Sequence, residues 1–167
     1  MPIGEIFRIA LILATFLCSL VAGFLFSFAF VVMPGIQRLR APEFIRAFQV
    51  MDGVIQNNQP VFVLVWLGSI IALVTATALG IGQLAGAMRL LLIFAAAVYL
   101  LGVQLPTITI NIPLNNRLQA LKVDALDETA QNVARKDFEA RWNQSNLIRT
   151  AFASLASVLL LLLLFGL

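Results

Sequence analysis

Four stretches of the chain carry no charged residue for long enough to cross a bilayer: Ile9–Met33, Val61–Met88, Leu90–Ile110 and Thr150–Leu167. A helix rises about 1.5 Å per residue, so about 20 apolar residues span roughly 30 Å of hydrocarbon. The first stretch has room to tilt. The second is expected to end near Gly80–Gly82 and turn through Leu84–Gly86 into the third. The fourth is close to the minimum length and is carried by the leucine run Leu159–Leu164. The expected spans are 9–33, 61–82, 89–110 and 148–166, within a single domain of residues 1–167. The fold class is all-α, an integral membrane four-helix bundle. Composition agrees: 61% of residues are hydrophobic and 11% charged, against roughly 25% charged in a soluble domain. A water-soluble fold this small has too little interior to hide that much apolar surface. Met1–Phe30 is expected to stay as the first span rather than leave as a signal peptide. Its apolar run is too long for an h-region, and Glu5 sits in what would be the n-region.

Two rows of small residues recur at i, i+4: Thr15, Ser19, Gly23 and Ser27, and Gly68, Ala72, Ala76 and Gly80. Such stripes let helix backbones approach closely, and both are expected to form seams inside the bundle. Histidine is absent and Cys18 stands alone in an apolar run. No disulfide can form within the chain, and the usual ligands of zinc, copper and haem are missing. No cofactor and no metal is expected. Cys18 reads as a small core or lipid-facing residue. The net charge of +3 comes from 11 basic and 8 acidic side chains, with no basic run beyond Arg135–Lys136. Nucleic acid is not an expected partner; membrane lipid is.

Two polar connections separate the spans. In the first, Pro34–Pro60, Phe44, Phe48, Met51 and Ile55 recur at helical spacing, with Glu43, Arg46, Gln49, Asp52 and Gln56 elsewhere. Pro42 suits a first helical turn. This predicts a short amphipathic helix between spans 1 and 2, lying on the membrane or capping the bundle. The second, Asn111–Arg149, predicts a soluble-looking helix over Asp127–Asn143, with i, i+4 ion pairs Arg135–Glu139 and Asp137–Arg141. Leu126, Ala130, Val133 and Phe138 give that helix an apolar side. A four-span topology puts both connections on one side, where nine of the cations lie; Arg8 and Arg89 are opposite. The positive-inside rule then places the connections in the cytoplasm and both termini on the non-cytoplasmic side.

Polar groups at membrane depth are costly, so their arrangement carries information. Asn57, Asn58 and Gln59 enter the second span, and Asn111, Asn115, Asn116 and Arg117 leave the third. Trp142, Asn146 and Arg149 enter the fourth at i, i+4, i+7, which is one stripe of a helix. Met33–Pro34 closes the first span. Pro113 removes a backbone donor between Asn111 and Asn115. Thr107 and Thr109, after Pro106, add hydroxyls. Freed carbonyls and amide side chains can line a pocket there, where irregular backbone is tolerated. Taken singly, these residues also suit helix caps and interfacial anchors. Amides on three span ends exceed what capping needs, which favours a site.

The string Asn111-Ile-Pro-Leu-Asn-Asn-Arg-Leu118, followed by Trp142-Asn-Gln-Ser-Asn-Leu-Ile-Arg-Thr150, resembles the anthrone oxygenase-like membrane family, long carried as a domain of unknown function. That family has an Asn-x-Pro-x-Asn element after the third span and a Trp-x-x-x-Asn-x-x-Arg element opening the fourth; Met33-Pro34 also fits. The likeness covers essentially the whole chain in length and span order. It implies a four-helix membrane bundle and, in characterised members, oxidation of a polycyclic anthrone to an anthraquinone by dioxygen without an obvious metal or flavin. Fold transfers within a family better than substrate does.

Such chemistry needs an apolar slot, a base and donors for an oxyanion. Under the resemblance the catalytic candidates are Arg149 and Arg117 as oxyanion partners, with Asn115 and Asn146 supplying hydrogen bonds. Asn111, Trp142, Gln59 and Asn116 are the substrate-binding candidates, with Trp142 offering a stacking face. With no histidine, Asp52, Asp137 and Glu139 are the acidic options for the base, and the sequence does not choose among them. The expected ligand is hydrophobic and aromatic; a homo-oligomer or a larger membrane complex stays open. A non-catalytic protein that binds a lipid or quinone-like ligand, or serves as a small subunit, is the competing reading. A transporter ranks third, because no internal repeat and no buried ion-coupling charge is visible in the spans.

Overall fold

The computed structural model describes residues 2–167; Met1, the first residue of the expected domain, lies outside them. The described residues form five helices: α1 (Ile3–Ile36), α2 (Ala41–Gln56), α3 (Pro60–Gln83), α4 (Gly86–Gln119) and α5 (Glu128–Phe165). A single 3-10 turn, Val123–Ala125, precedes α5, and no strand occurs among the described residues. All but α2 are long and apolar enough to cross a membrane.

The long helices outrun their apolar stretches at one end. α5 has 38 residues, about 57 Å at 1.5 Å per residue, nearly twice the hydrocarbon thickness. The soluble-looking helix expected over Asp127–Asn143 is therefore the first part of α5, continuous with the fourth span. Neither glycine nor proline interrupts residues 128–165. The Asp127 carboxylate starts this helix by accepting from the Ala130 N–H at 2.7 Å. The projecting parts of α4 and α5 and the whole of α2 make a cap at one end of the bundle.

α2 caps rather than floats. Phe44 and Phe48 are buried as the spacing predicts, against Phe138, Trp142, Leu114 and Leu118. Met51 and Ile55 are half-buried, and Asp52, from the polar set, is 4% exposed. Gln49 Nε2 fastens the helix to the end of α4, donating to the Leu118 and Leu121 carbonyls at 2.9 and 3.0 Å. Arg135 clasps the turn before α2 through the Gln37 and Leu39 carbonyls and lies 4.6 Å above the Phe44 ring. Of the two expected ion pairs, Arg135–Glu139 forms at 2.7 Å. Asp137–Arg141 does not form among the described residues; at an exposed site the pair gains too little to hold two long side chains together. Val133, expected on the apolar side, is 54% exposed. Phe138 and Ala134 make the contact instead.

The α3 stripe is a seam. A Cβ on Gly68 would sit 3.2 Å from Leu17 Cδ1, and one on Gly80 would collide with Leu92 and Phe7 at 2.3 and 2.8 Å. The α1 stripe is a correction. Ser19 and Gly23 are exposed, and nothing lies within 4 Å of a Cβ placed on Gly23. Thr15 is buried, but the continuous row of buried small residues is Ala10, Ala14, Cys18 and Ala22, one position earlier than Ser19 and Gly23. Thr15 and Ser19 hydroxyls donate to the carbonyls four residues back, both at 2.8 Å, so they need no neighbour. Leu11, Val21 and Leu25, all at most 1% exposed, set the phase of the helix.

Three wide π-turns mark the prolines. One, Phe28–Val32, precedes Met33-Pro34; the others, Leu100–Gln104 and Thr107–Asn111, flank Pro106 and precede Pro113. In each, the N–H of the residue before the proline bonds the carbonyl five residues back, Met33 to Phe28, Leu105 to Leu100 and Ile112 to Thr107. The helix is thus not broken at Pro113; the disturbance lies upstream. Each π-turn adds a residue and rotates the helix beyond it. In α4 the outcome is one inward line of polar side chains: Gln104, Thr107 and Asn111 buried, Asn115 half-buried.

Candidate functional site

Two apolar clusters divide the molecule. One fills the membrane bundle around Leu11, Leu73, Leu92, Tyr99 and Leu160. The other binds the cap to the helix ends around Phe44, Phe48, Leu118 and Trp142. Between them lies a cavity of about 190 Å³. Its apolar walls are Phe24 and Phe28 of α1, Phe48 and Ile55 of α2, Phe62 and Trp66 of α3, and Ile112 of α4. Phe62 stacks on Trp66 with centroids 5.4 Å apart, and Phe28 and Phe48 pack on Trp142 at 5.8 and 5.4 Å. These are flat surfaces suited to a flat ligand.

Into this apolar space project a cation and a carboxylate that do not pair. Arg149 is 4% exposed. Its Nη1 donates to Thr107 Oγ1 at 3.0 Å and its Nη2 to Asn146 Oδ1 at 2.9 Å. Its Nε has no partner. Among the described residues no carboxylate lies within 4.0 Å of it. The guanidinium carbon lies 5.8 Å from the centroid of the Trp142 ring. Arginine stays charged in proteins, and an unpaired buried charge is costly. Beside it, Asn111 Oδ1 accepts from Ser145 Oγ at 2.6 Å, and its Nδ2 has no partner. Two residues that line the cavity therefore each carry a buried donor without an acceptor.

Across the cavity, Asp52 is 4% exposed. Its Oδ1 accepts from Asn115 Nδ2 at 2.8 Å and its Oδ2 from Gln56 Nε2 at 2.7 Å. Asn115 Oδ1 in turn accepts from Trp142 Nε1 at 2.8 Å, so this amide is held by two partners in one orientation. Burial pushes the Asp52 carboxyl above the usual carboxylate range, and the two amide donors pull it back only in part. Gln56 also donates to Asn116 Oδ1 at 3.3 Å, which links the carboxylate to the exposed rim.

The eight expected site residues separate. Arg149, Asn115, Asn111 and Trp142 line the cavity together. Asn146 stands behind Arg149: it accepts from the guanidinium, donates to the Leu25 carbonyl at 3.2 Å, and faces a different depression beside Met33 and Pro34. Gln59 caps α3 through the Phe62 N–H. Asn116 is on the exposed rim. Arg117 faces a separate surface depression with Lys136 and Arg141. Of the three acids, Asp137 is exposed, Glu139 is paired with Arg135, and Asp52 lines the cavity. Sequence reading missed Ser145 and the aromatic walls. Ser145 sits four residues before Arg149 and three after Trp142, so the same stripe pointed to it. Among the described residues no three His, Cys, Asp or Glu side chains gather into a group able to hold a metal ion.

Comparison with curated proteins and with solved structures gave no match. The sequence model of the anthrone oxygenase family matches residues 53–159, close to two-thirds of the chain. The matched stretch begins one residue after Asp52 and contains Asn111, Asn115, Trp142, Ser145 and Arg149. On that match the chain is a member of the anthrone oxygenase family.

Proposed function

We propose that the cavity oxidises a flat, membrane-soluble aromatic substrate of the anthrone type with dioxygen, using no cofactor. The observation that supports this is that Arg149 and Asn111, each with a buried donor lacking a partner, and Asp52, a buried carboxylate in no ion pair, line one cavity with aromatic walls. Asp52 takes a proton from the acidic methylene of the substrate. The aromatic anion so formed carries its charge on oxygen, where Arg149 and Asn111 hold it. The anion gives one electron to dioxygen, and the resulting radical and superoxide join at carbon. The peroxide then takes a proton, loses water and leaves a carbonyl. The balance is one methylene and one dioxygen in, one ketone and one water out. Thr107 and Asn146 orient the guanidinium; Asn115 and Gln56 orient the carboxylate. A carrier of quinone-like ligands would use the same walls but has no need of Asp52.

The cap side bears nine of the eleven cations, and we place it in the cytoplasm.

The test is turnover of anthrone in air by the purified protein, followed by quinone absorbance. Arg149→Met should lose about 10²- to 10³-fold, the usual cost of one oxyanion donor. Its thermal unfolding should change little, because relief of a buried charge in no ion pair offsets the hydrogen bonds lost to Thr107 and Asn146. Unchanged turnover in this variant would remove Arg149 from the reaction and with it the proposal.

A further inference from the structure

The strongest unused feature is the mouth of the cavity. A cavity of about 150 Å³ holds benzene. At about 190 Å³, this one seats one ring of a tricyclic substrate, and the rest must lie in the opening. Three apolar lining residues mark where that opening is: Ile112 of α4 is 44% exposed, and Phe62 of α3 and Ile55 of α2 are half-buried. α3 packs along Ile3–Ser27 and against Gly86–Tyr99, but makes at most isolated contacts with α4 beyond Tyr99. One such contact is Trp66 Nε1 donating to Gln104 Oε1 at 3.0 Å, at the base of the gap. Above it the two helices stand apart, and the gap is the mouth.

Its surroundings belong to lipid. Val61, Leu105 and Ile108 flank it at 61%, 51% and 62% exposure. α3 carries no charge along its length, and α4 carries none between Leu90 and Asn116. The aqueous end is closed by α2, whose Phe48 and Asp52 are at most 4% exposed. From this we propose that the site is loaded sideways from the bilayer, through a gate formed by Phe62, Ile112 and Ile55, and takes planar apolar molecules already dissolved in the membrane. The proposal rests on the reading of the cavity as an aromatic site. It adds the route and the residues that limit substrate width. The ligand arrives from lipid, whereas Asp52 is held toward the aqueous rim by Gln56.

The chain has two tryptophans, and both line the cavity. In a Trp66→Phe background, emission from Trp142 alone reports occupancy. Protein in phosphatidylcholine vesicles would be mixed with vesicles carrying anthraquinone, and the quenching rate of Trp142 followed. Ile112→Phe, on the lipid side, should slow quenching about tenfold, equivalent to about 1.4 kcal/mol on the entry barrier. Asn116→Phe, on the aqueous rim, should leave the rate within about twofold, under 0.5 kcal/mol. Ile112→Ala, which widens the mouth, should speed it, and guards against a folding defect in the bulkier variant. Slowing by Asn116→Phe with Ile112→Phe and Ile112→Ala both silent would overturn the lipid entrance and leave the site intact. No quenching in the parent would overturn the site itself.

Discussion

Around Leu11, Leu73, Leu92 and Leu160 the four long helices meet through aliphatic and small side chains. The polar groups there are satisfied locally. Thr15 and Ser157 donate to carbonyls of their own helix, and the Ser69 and Tyr99 hydroxyls pair at 2.7 Å. A few turns along, around Arg149, the same helices present guanidinium, carboxylate, amides and indole to a cavity. Among the described residues the buried side-chain atoms without partners are Gln104 Nε2, Asn111 Nδ2, Gln119 Oε1, Asn143 Oδ1 and Arg149 Nε. All lie from Gln104 toward the cap, and none lies in the half built around Leu160. One half is packed for stability. The other leaves hydrogen-bonding capacity unspent in buried surroundings, where it is costly. The π-turns of α4 fall at the border between the two, and by turning the helix they let one element serve both.

The largest test of this contrast is Asp52→Asn, which keeps the shape of the side chain and removes the base. Anthrone turnover should drop by about 10²- to 10⁴-fold. The pH profile sharpens it. Only the carboxylate accepts a proton, so kcat/KM should fall as pH drops through the Asp52 pKa. Burial raises that pKa, so the fall should begin at a higher pH than an exposed aspartate would give. In Asp52→Asn this acid limb should vanish from the residual activity.

A smaller effect probes the packed half. Gly80→Leu should destabilise by about 1–3 kcal/mol, read as thermal unfolding in mild detergent, because its first added carbon already meets Leu92 and Phe7. Gly23→Leu should stay within about 0.5 kcal/mol, since it faces lipid and open space. Equal losses at both sites would mean that the seam phase on α1 is misassigned.

Much of this architecture was legible in the chain. Uncharged length gave the four spans, and the Phe44–Phe48 spacing gave the cap helix. The Trp142, Asn146, Arg149 stripe pointed to the part of α5 from which Trp142 and Arg149 line the cavity. The features that escaped did so for definite reasons. The α1 stripe was off by one position because hydroxyl and glycine residues look like seam residues whether or not they bond to their own backbone. Asn146 and Arg149 share a stripe, yet Asn146 faces a separate depression; seven residues of helix cover more than one side of a wall. Arg117 comes two residues after Asn115, more than half a helical turn, which carries it to the other side of α4. That Asp52, and neither Asp137 nor Glu139, lines the cavity depends on α2 folding back over the bundle, a long-range fact no local pattern contains.

The central claim is that Arg149 is a cation waiting for an anion. A hydroxyanthraquinone whose visible absorption changes on ionisation tests it directly. Bound to the wild-type protein, its hydroxyl pKa should fall by about one unit or more, each unit being about 1.4 kcal/mol, and Arg149→Met should abolish that fall. A bound pKa that is the same in both proteins, or higher in the wild type, would contradict the account.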